Sequence, residues 1–183
     1  HLECYHPYEE RDLGDRITVL WEGAEYRGRF RAVSWDGSAH FDKATITSVV
    51  PVNFFNQDKK LDMVSSSDLR WQSVTTGNFA GFVVKLRDSK LGSINIKTPL
   101  INESVKLIDI GYAGNLLDAS DSLPRRIQIY RLPNDNPHTS VRIERKLQPQ
   151  IGRDNPFYAR ITLEDGTQAW SSPIYVLREI ENQ

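Results

Sequence analysis

Metal-ligating residue types cluster at the start of the chain. The first six residues include two histidines, a cysteine and a glutamate: His1, Glu3, Cys4 and His6. Imidazole nitrogens and thiolate sulfurs are strong donors to zinc and similar ions. The spacing matches no standard zinc finger, however, and chain ends are usually poorly ordered. We therefore predict no metal site in this chain; if a metal did bind here, His1, Cys4 and His6 would be the ligands.

Residues 75–81, Thr-Thr-Gly-Asn-Phe-Ala-Gly, have the composition of a phosphate-binding loop. Such a loop needs the amino terminus of a helix directly after it. Here the apolar run Phe82–Leu86 follows, which is typical of a strand. We predict a tight β-turn in which glycine supplies the unusual backbone angles.

Serine and histidine do not combine into a recognisable nucleophilic site. Ser171 and Ser172 lack the flanking glycines of a nucleophile elbow. Nothing in the spacing brings His40 or His138 to them, and a triad is defined by geometry. We predict no catalytic and no cofactor-binding residue, and no enzymatic activity for this chain.

The tripeptide Asp-Asn-Pro occurs twice, at 135–137 and 154–156. Proline biases the preceding asparagine towards extended geometry, and aspartate can close an Asx turn. Both copies are therefore predicted to be loops that lead into strands. The alternative is a calcium site shared by the two loops, which would need more oxygen ligands than they supply.

Four tryptophans could form a sugar-stacking platform if two or more stood exposed and coplanar. Trp21, Trp71 and Trp170 lie in segments that alternate apolar and polar residues, so we predict that they pack in the core. Trp35 lies beside the turn signal Asp36-Gly37. It is the tryptophan that we expect to be exposed, and it is the candidate ligand platform.

Residues 157–176 have the pattern of a β-hairpin that turns at Asp165-Gly166. A two-residue turn there places Ile161 opposite Trp170. We expect that pair to face the core.

Short strands punctuated by turns dominate the rest of the chain. Alternation predicts strands at 16–22, 25–33, 44–50, 69–75, 80–86, 93–97, 104–110, 126–132 and 140–145. Residues 114–122 are predicted to be a short helix or an ordered loop. The fold class is all-β, an antiparallel β-sandwich (immunoglobulin-like or jelly-roll-like) with at most one or two short helices, and a partly closed barrel is the alternative. Residues 16–183 form one domain, with 1–15 as a linker or the tail of a preceding domain.

The composition limits the classes of partner and compartment that we expect for the chain. The 23 basic and 24 acidic residues give a net charge of −1, so neither nucleic acid nor an anionic membrane is an expected partner. No apolar run reaches the roughly 20 residues that span a bilayer. The single cysteine excludes an internal disulfide, which favours a reducing, cytoplasmic compartment. Because the chain begins at histidine and its sole methionine is Met63, we expect a piece of a longer or processed product.

Three phrases of the sequence together resemble a known family. They are residues 71–81, 130–138 and 158–175, and the most specific is Ala-Trp-Ser-Ser-Pro-Ile at 169–174. The likeness, which spans about residues 16–177, is to the C-terminal β-rich region of bacterial proteins related to the PHP (polymerase and histidinol phosphatase) metallohydrolases. Many of these regions are known only as domains of unknown function.

The resemblance implies an accessory role. The metal ligands of that family belong to an N-terminal catalytic domain that begins with a His-x-His pair, and this sequence contains none. It therefore implies a non-catalytic domain of a metal-dependent phosphoesterase, without a cofactor of its own. Its expected partners are the preceding catalytic domain, which would carry a divalent metal, or further copies of the chain. The alternative is a stand-alone module that binds carbohydrate or another ligand.

Overall fold

A computed structural model describes residues 13–25, 31–120, 123–135, 140, 142, 144, 146–163 and 167–178. The chain divides into two compact units, residues 1–138 and 139–183. In both units the strands of every sheet pair antiparallel. The predicted all-β class is confirmed; the one helical element of the described residues is a single 3₁₀ turn at Leu107–Asp109. The prediction of one domain over 16–183 stays a prediction.

Sixteen strands are described. They are β1 Arg16–Gly23, β2 Val33–Ser34, β3 Gly37–Asp42, β4 Thr45–Val52, β5 Leu61–Met63, β6 Asp68–Trp71, β7 Val74–Thr75, β8 Phe79–Arg87, β9 Ser93–Lys97, β10 Asn102–Lys106, β11 Asn115–Asp118, β12 Arg125–Leu132, β13 Asp154–Phe157, β14 Arg160–Thr162, β15 Gln168–Trp170 and β16 Ile174–Leu177.

Two five-stranded sheets make up the first unit. Their strand orders are β11-β12-β1-β8-β4 and β10-β9-β3-β6-β5, and a short β2–β7 pair lies beside them. The second unit consists of two separate two-stranded ladders, β13–β16 and β14–β15.

Period-two alternation builds one core between the two sheets. On β1, Ile17, Val19 and Trp21 point inward, because successive side chains of a strand point to opposite faces. The second sheet contributes Trp71 among others to the same cluster. The rings of Trp21 and Trp71 stack with centroids 5.0 Å apart. The prediction that these two tryptophans are core residues is confirmed, and the antiparallel layers are consistent with a β-sandwich.

Several segments differ from the predicted elements. The strand predicted over 69–75 is divided into β6 and β7, and the strand predicted over 104–110 ends at Lys106, before the 3₁₀ turn. Residues 115–118 form the edge strand β11, paired with β12, where a short helix or ordered loop was predicted. The strand predicted over 44–50 corresponds to β4, which continues through Pro51 to Val52. Proline is tolerated there because β4 is an edge strand, so one side of its backbone needs no partner. Residues 26–30, 141, 143 and 145 lie outside the described residues, so the strands predicted over 25–33 and 140–145 are described only in part.

Trp35 is buried, so the prediction of its exposure was wrong. It lies between β2 and β3 and has no accessible surface. Its Nε1–H donates to Thr75 Oγ1 at 2.9 Å, and its backbone N–H donates to the Ser73 carbonyl at 2.8 Å. The turn signal at Asp36-Gly37 does not lie at an exposed apex, because the β2–β7 pair holds the residue before it inward.

The hairpin of the second unit is offset by one residue from its predicted register. Ile161 lies opposite Ala169, and Trp170 lies opposite Arg160. The Leu163 N–H donates to the Thr167 carbonyl, which leaves three residues between them in place of two. A one-residue slip moves side chains to the other face, so Ile161 and Trp170 are on opposite faces. The prediction that they pair and face the core was wrong, since 60% of Ile161 and 59% of Trp170 is exposed.

Candidate functional site

The outward face of the second sheet is polar. The same alternation that points Ile94, Leu69 and Phe41 inward turns their neighbours outward. The strand register then aligns one row of outward residues across four strands: Lys97 on β9, Ser38 on β3, Arg70 on β6 and Asp62 on β5. These residues are distant in sequence, and the sheet alone brings them together.

A cleft of about 600 Å³ opens along this row, and all four of its residues line the cleft. It lies where β9 and β6 end and where β3 and β5 begin, which are neighbouring strands. Its lining residues are Asp36, Gly37, Ser38, Lys60, Asp62, Arg70, Trp71, Gln72, Lys97, Thr98 and Pro99. We call it the polar cleft.

Cations outnumber carboxylates in the polar cleft. Lys60, Arg70 and Lys97 face Asp36 and Asp62. The Asp36 carboxylate accepts a hydrogen bond from the Ser73 N–H at 2.8 Å. Arg70 and Asp62 are opposite each other in the ladder, yet no ion pair within the described part of the chain joins them.

The floor of the polar cleft is tightly packed. A Cβ on Gly37 would lie 2.5 Å from the Lys97 carbonyl oxygen and 2.8 Å from Trp71 Cζ2. Trp71 is buried, and its Nε1–H donates to the Trp35 carbonyl at 2.5 Å. Because glycine has no side chain, the β3 backbone at position 37 can lie this close to Lys97 and Trp71.

The next row on the same face contains a histidine–aspartate pair. His40 Nδ1 lies 2.8 Å from Asp68 Oδ1. The hydroxyls of Ser65 and Ser67 donate to Asp68 Oδ2 at 2.5 and 3.0 Å. The Ser65 bond, then the bonds from His40 and Ser67, lower the pKa of Asp68 from 3.8 to about 2. Both serines bond the carboxylate rather than the imidazole, so the geometry is not that of a nucleophilic triad.

The second unit exposes large apolar side chains. No residue of 139–183 whose burial is described is buried. Nine large apolar residues there are exposed: Leu147, Ile151, Tyr158, Ile161, Leu163, Trp170, Ile174, Tyr175 and Leu177. We call these nine residues the apolar surface of the second unit.

None of the site residues proposed from the sequence lines the polar cleft. His1, Cys4 and His6 lie outside the described residues. Across the described ranges, no three His, Cys, Asp or Glu side chains are close enough to hold a metal. Trp35 cannot stack on a ligand because it is buried.

The two predictions about loops have different outcomes. β7 ends at Thr75, Gly77 has φ +102° and β8 begins at Phe79, so the predicted turn is confirmed. The second Asp-Asn-Pro, at 154–156, is itself part of strand β13, so the prediction that it is a loop before a strand was wrong. Asn155 Nδ2 donates there to the carbonyls of Gln150, Arg153 and Val176. The first copy lies largely outside the described residues. Ser171 Oγ is used in local backbone bonds to Ala159 and Ser172.

Sequence reasoning did not find the polar cleft. Its three cations come from three separate segments of the chain and follow no motif. The alternation of polar residues in 61–63 and 68–71 was the only local signal, and it does not specify which strands become neighbours.

Comparisons with known proteins do not extend these observations. No protein-family model matches the chain, and neither a curated protein nor a solved structure is significantly similar to it. The described residues include no helix that is long and apolar enough to cross a membrane.

Proposed function

We propose that this chain is a non-catalytic accessory domain of a PHP-like metal-dependent hydrolase, and that its role is to pack against the catalytic domain of the same polypeptide. The observation that carries the proposal is the apolar surface of the second unit. The resemblance of residues 71–81, 130–138 and 158–175 supplies the family.

The ladders of the second unit are small. A two-stranded ladder alone is marginally stable in water, and a sheet is stabilised by burying one apolar face against another layer. β13–β16 and β14–β15 are two-stranded, and no described residue around them is buried. Burial of a single large apolar side chain stabilises by about 1.5–3 kcal/mol. Nine exposed ones therefore represent a large gain on contact.

The family resemblance favours the catalytic domain as the partner. Six of the nine apolar residues lie within the phrase 158–175: Tyr158, Ile161, Leu163, Trp170, Ile174 and Tyr175. The segment that contains the most specific part of the resemblance therefore has many of its large apolar side chains on the surface. A surface that packs on the catalytic domain accounts for both properties.

Photo-crosslinking tests the partner. The protein is produced in its native host with benzoylphenylalanine at position 175, on the apolar surface, or at position 102, an exposed polar residue of β10. We expect the probe at 175 to attach to peptides of a PHP-like domain that contains His-x-His. The probe at 102 should give no such product. Products that join two copies of this chain, or equal yields from both positions, would contradict the proposal.

A second experiment tests the absence of catalysis. The purified chain is incubated with Zn²⁺ or Mn²⁺ and a chromogenic phosphate monoester. We expect hydrolysis no faster than that of a heat-denatured control. Metal-dependent turnover that co-purifies with the chain would overturn the accessory assignment.

The alternative of a carbohydrate-binding module loses its motivating feature. Trp21, Trp35 and Trp71 are buried, and Trp170 is the one exposed indole of the four. A platform of two coplanar tryptophans is therefore not formed by this chain.

A further inference from the structure

We propose that the polar cleft binds a tetrahedral oxyanion, a phosphate or sulfate group, through Arg70 and Lys97 with Lys60 at its rim. This inference concerns a different surface from the proposed contact with a catalytic domain. It holds whether or not the family assignment does.

The register places the two main cations around a small residue. Ser38 lies directly opposite both Lys97 and Arg70, so their side chains project from the strands on either side of it. Neighbouring strands are about 4.8 Å apart, which puts the two cationic strands about 10 Å from each other. Because serine is small, a notch remains above Ser38 that the side chains of Arg70 and Lys97 can both reach. An oxyanion in that notch would meet both positive charges.

The groups around the notch have donors to offer. Neither the Arg70 guanidinium nor the Lys97 ammonium makes a hydrogen bond or ion pair to another described residue. The Ser38 hydroxyl and the Gln72 side-chain amide likewise have no partner within the described ranges. A guanidinium presents a planar fork of N–H groups that matches two oxygens of a phosphate or sulfate. The cleft thus provides charge and directional donors together.

The carboxylates of the cleft do not cancel this attraction. Asp36 is held by the Ser73 N–H, and Asp62 lies at the far side of Arg70 without pairing to it. Three cations against two carboxylates leave an excess of one positive charge. Because the site is open to solvent, screening by salt will keep the affinity modest.

The lining also argues against an aromatic or purely apolar ligand. Trp71 is the one aromatic residue that lines the cleft, and its ring stacks on Trp21 inside the core. No aromatic face of the described lining is therefore available for stacking. Recognition must come from charge and hydrogen bonds.

Titration of the full chain followed by amide NMR tests the site. Inorganic phosphate, glycerol phosphate and sulfate are added separately at constant ionic strength, with sodium chloride as the reference. We expect saturable amide shifts at residues 36–38, 60–62, 70–72 and 97–98 that chloride does not cause. Saturation by all three oxyanions would identify the group itself as the ligand. Saturation by glycerol phosphate alone would identify an organic phosphate ester.

Matched variants separate the site from general charge. Arg70→Gln and Lys97→Gln should each raise Kd about tenfold, the effect of losing one charge-assisted hydrogen bond. Lys106→Gln removes a lysine from the same sheet but outside the cleft, and it should leave Kd unchanged. All three positions are exposed, so the variants should fold normally. Shifts that do not saturate, or an equal effect of all three variants, would overturn the proposal.

Discussion

At the scale of single residues, Arg131 is the most unusual feature of the structure. It is 1% exposed, and its guanidinium donates to four backbone carbonyls: Ile110, Gly14, Ser89 and Leu107. Burial lowers the pKa of Arg131, while the charge of Asp15 opposes that change. One side chain of β12 thus binds three loop segments, at residues 14, 89 and 107–110.

Replacement of Arg131 should be costly. Arg131→Met would leave three carbonyls, those of Gly14, Ser89 and Ile110, without a donor, because the Leu107 carbonyl keeps the Ile110 N–H. Each buried unsatisfied group costs about 1–3 kcal/mol, so we expect a loss of at least about 3 kcal/mol. Denaturant unfolding measures the change. The control is Arg126→Met on the same strand, because the Arg126–Glu22 pair is partly exposed and should contribute less than about 1 kcal/mol. Equal losses in both variants would show that the carbonyl bonds of Arg131 contribute little.

The carboxylate of Asp68 provides a test by pH. Its pKa is lowered to about 2, so its bonds to Ser65, His40 and Ser67 favour folding fully above pH 3.8 and lose that effect as pH falls through about 2. Carboxyl NMR should give a midpoint near 2 in the native chain. Ser65→Ala should raise that midpoint towards 3.8, whereas Ser104→Ala, on the same sheet without a bond to Asp68, should not. An unshifted midpoint in Ser65→Ala would disprove the assigned cause.

At the scale of elements, β6 and β15 differ in burial, since β6 contributes to the core and β15 is exposed. Both are short and both end in tryptophan. Trp71 is 1% exposed and stacked on Trp21, whereas Trp170 is 59% exposed. The two strands differ in what covers them rather than in their own sequence patterns.

The two tryptophans should therefore respond differently to truncation. Trp71→Ala should cost about 3–5 kcal/mol, because it removes a buried aromatic side chain. Trp170→Ala should cost less than about 1 kcal/mol, as is usual for exposed positions. Thermal or denaturant unfolding of both variants checks the pair.

Iodide quenching of fluorescence gives an independent check on the same elements. One fraction of the emission should be quenchable, and Trp170→Phe should abolish it while Trp71→Phe leaves it. A large loss of stability in Trp170→Ala, or quenching that survives Trp170→Phe, would show that Trp170 is buried, as its sequence pattern predicts.

At the scale of the whole molecule, the two units should differ in local stability. Amides of β1, β8 and β12 lie in a five-stranded sheet over a shared core. We expect them to exchange only through global unfolding, at about 5–15 kcal/mol, while amides of β13–β16 and β14–β15 exchange with local free energies near zero. Native-state hydrogen exchange measures both. Protection of β15 equal to that of β8 would mean that the second unit needs no further surface to cover it.

The sequence by itself determined the all-β class, the strands around 16–23, 79–87, 93–97 and 125–132, and the burial of Trp21 and Trp71. These features follow from period-two alternation, which is local and is written in each strand. It also identified the turn at Gly77, because a strand rather than a helix follows that glycine.

Only the tertiary structure decided which strands became neighbours and which faces were covered. Trp35 is buried beside the β2–β7 pair, and the register of β14–β15 puts Trp170 opposite Arg160, where 59% of it is exposed. The row from Lys97 to Asp62 exists because β9, β3, β6 and β5 align in one register. Pairing partners, register and cover depend on contacts between residues distant in the chain, and alternation within one strand is the same whichever face becomes buried.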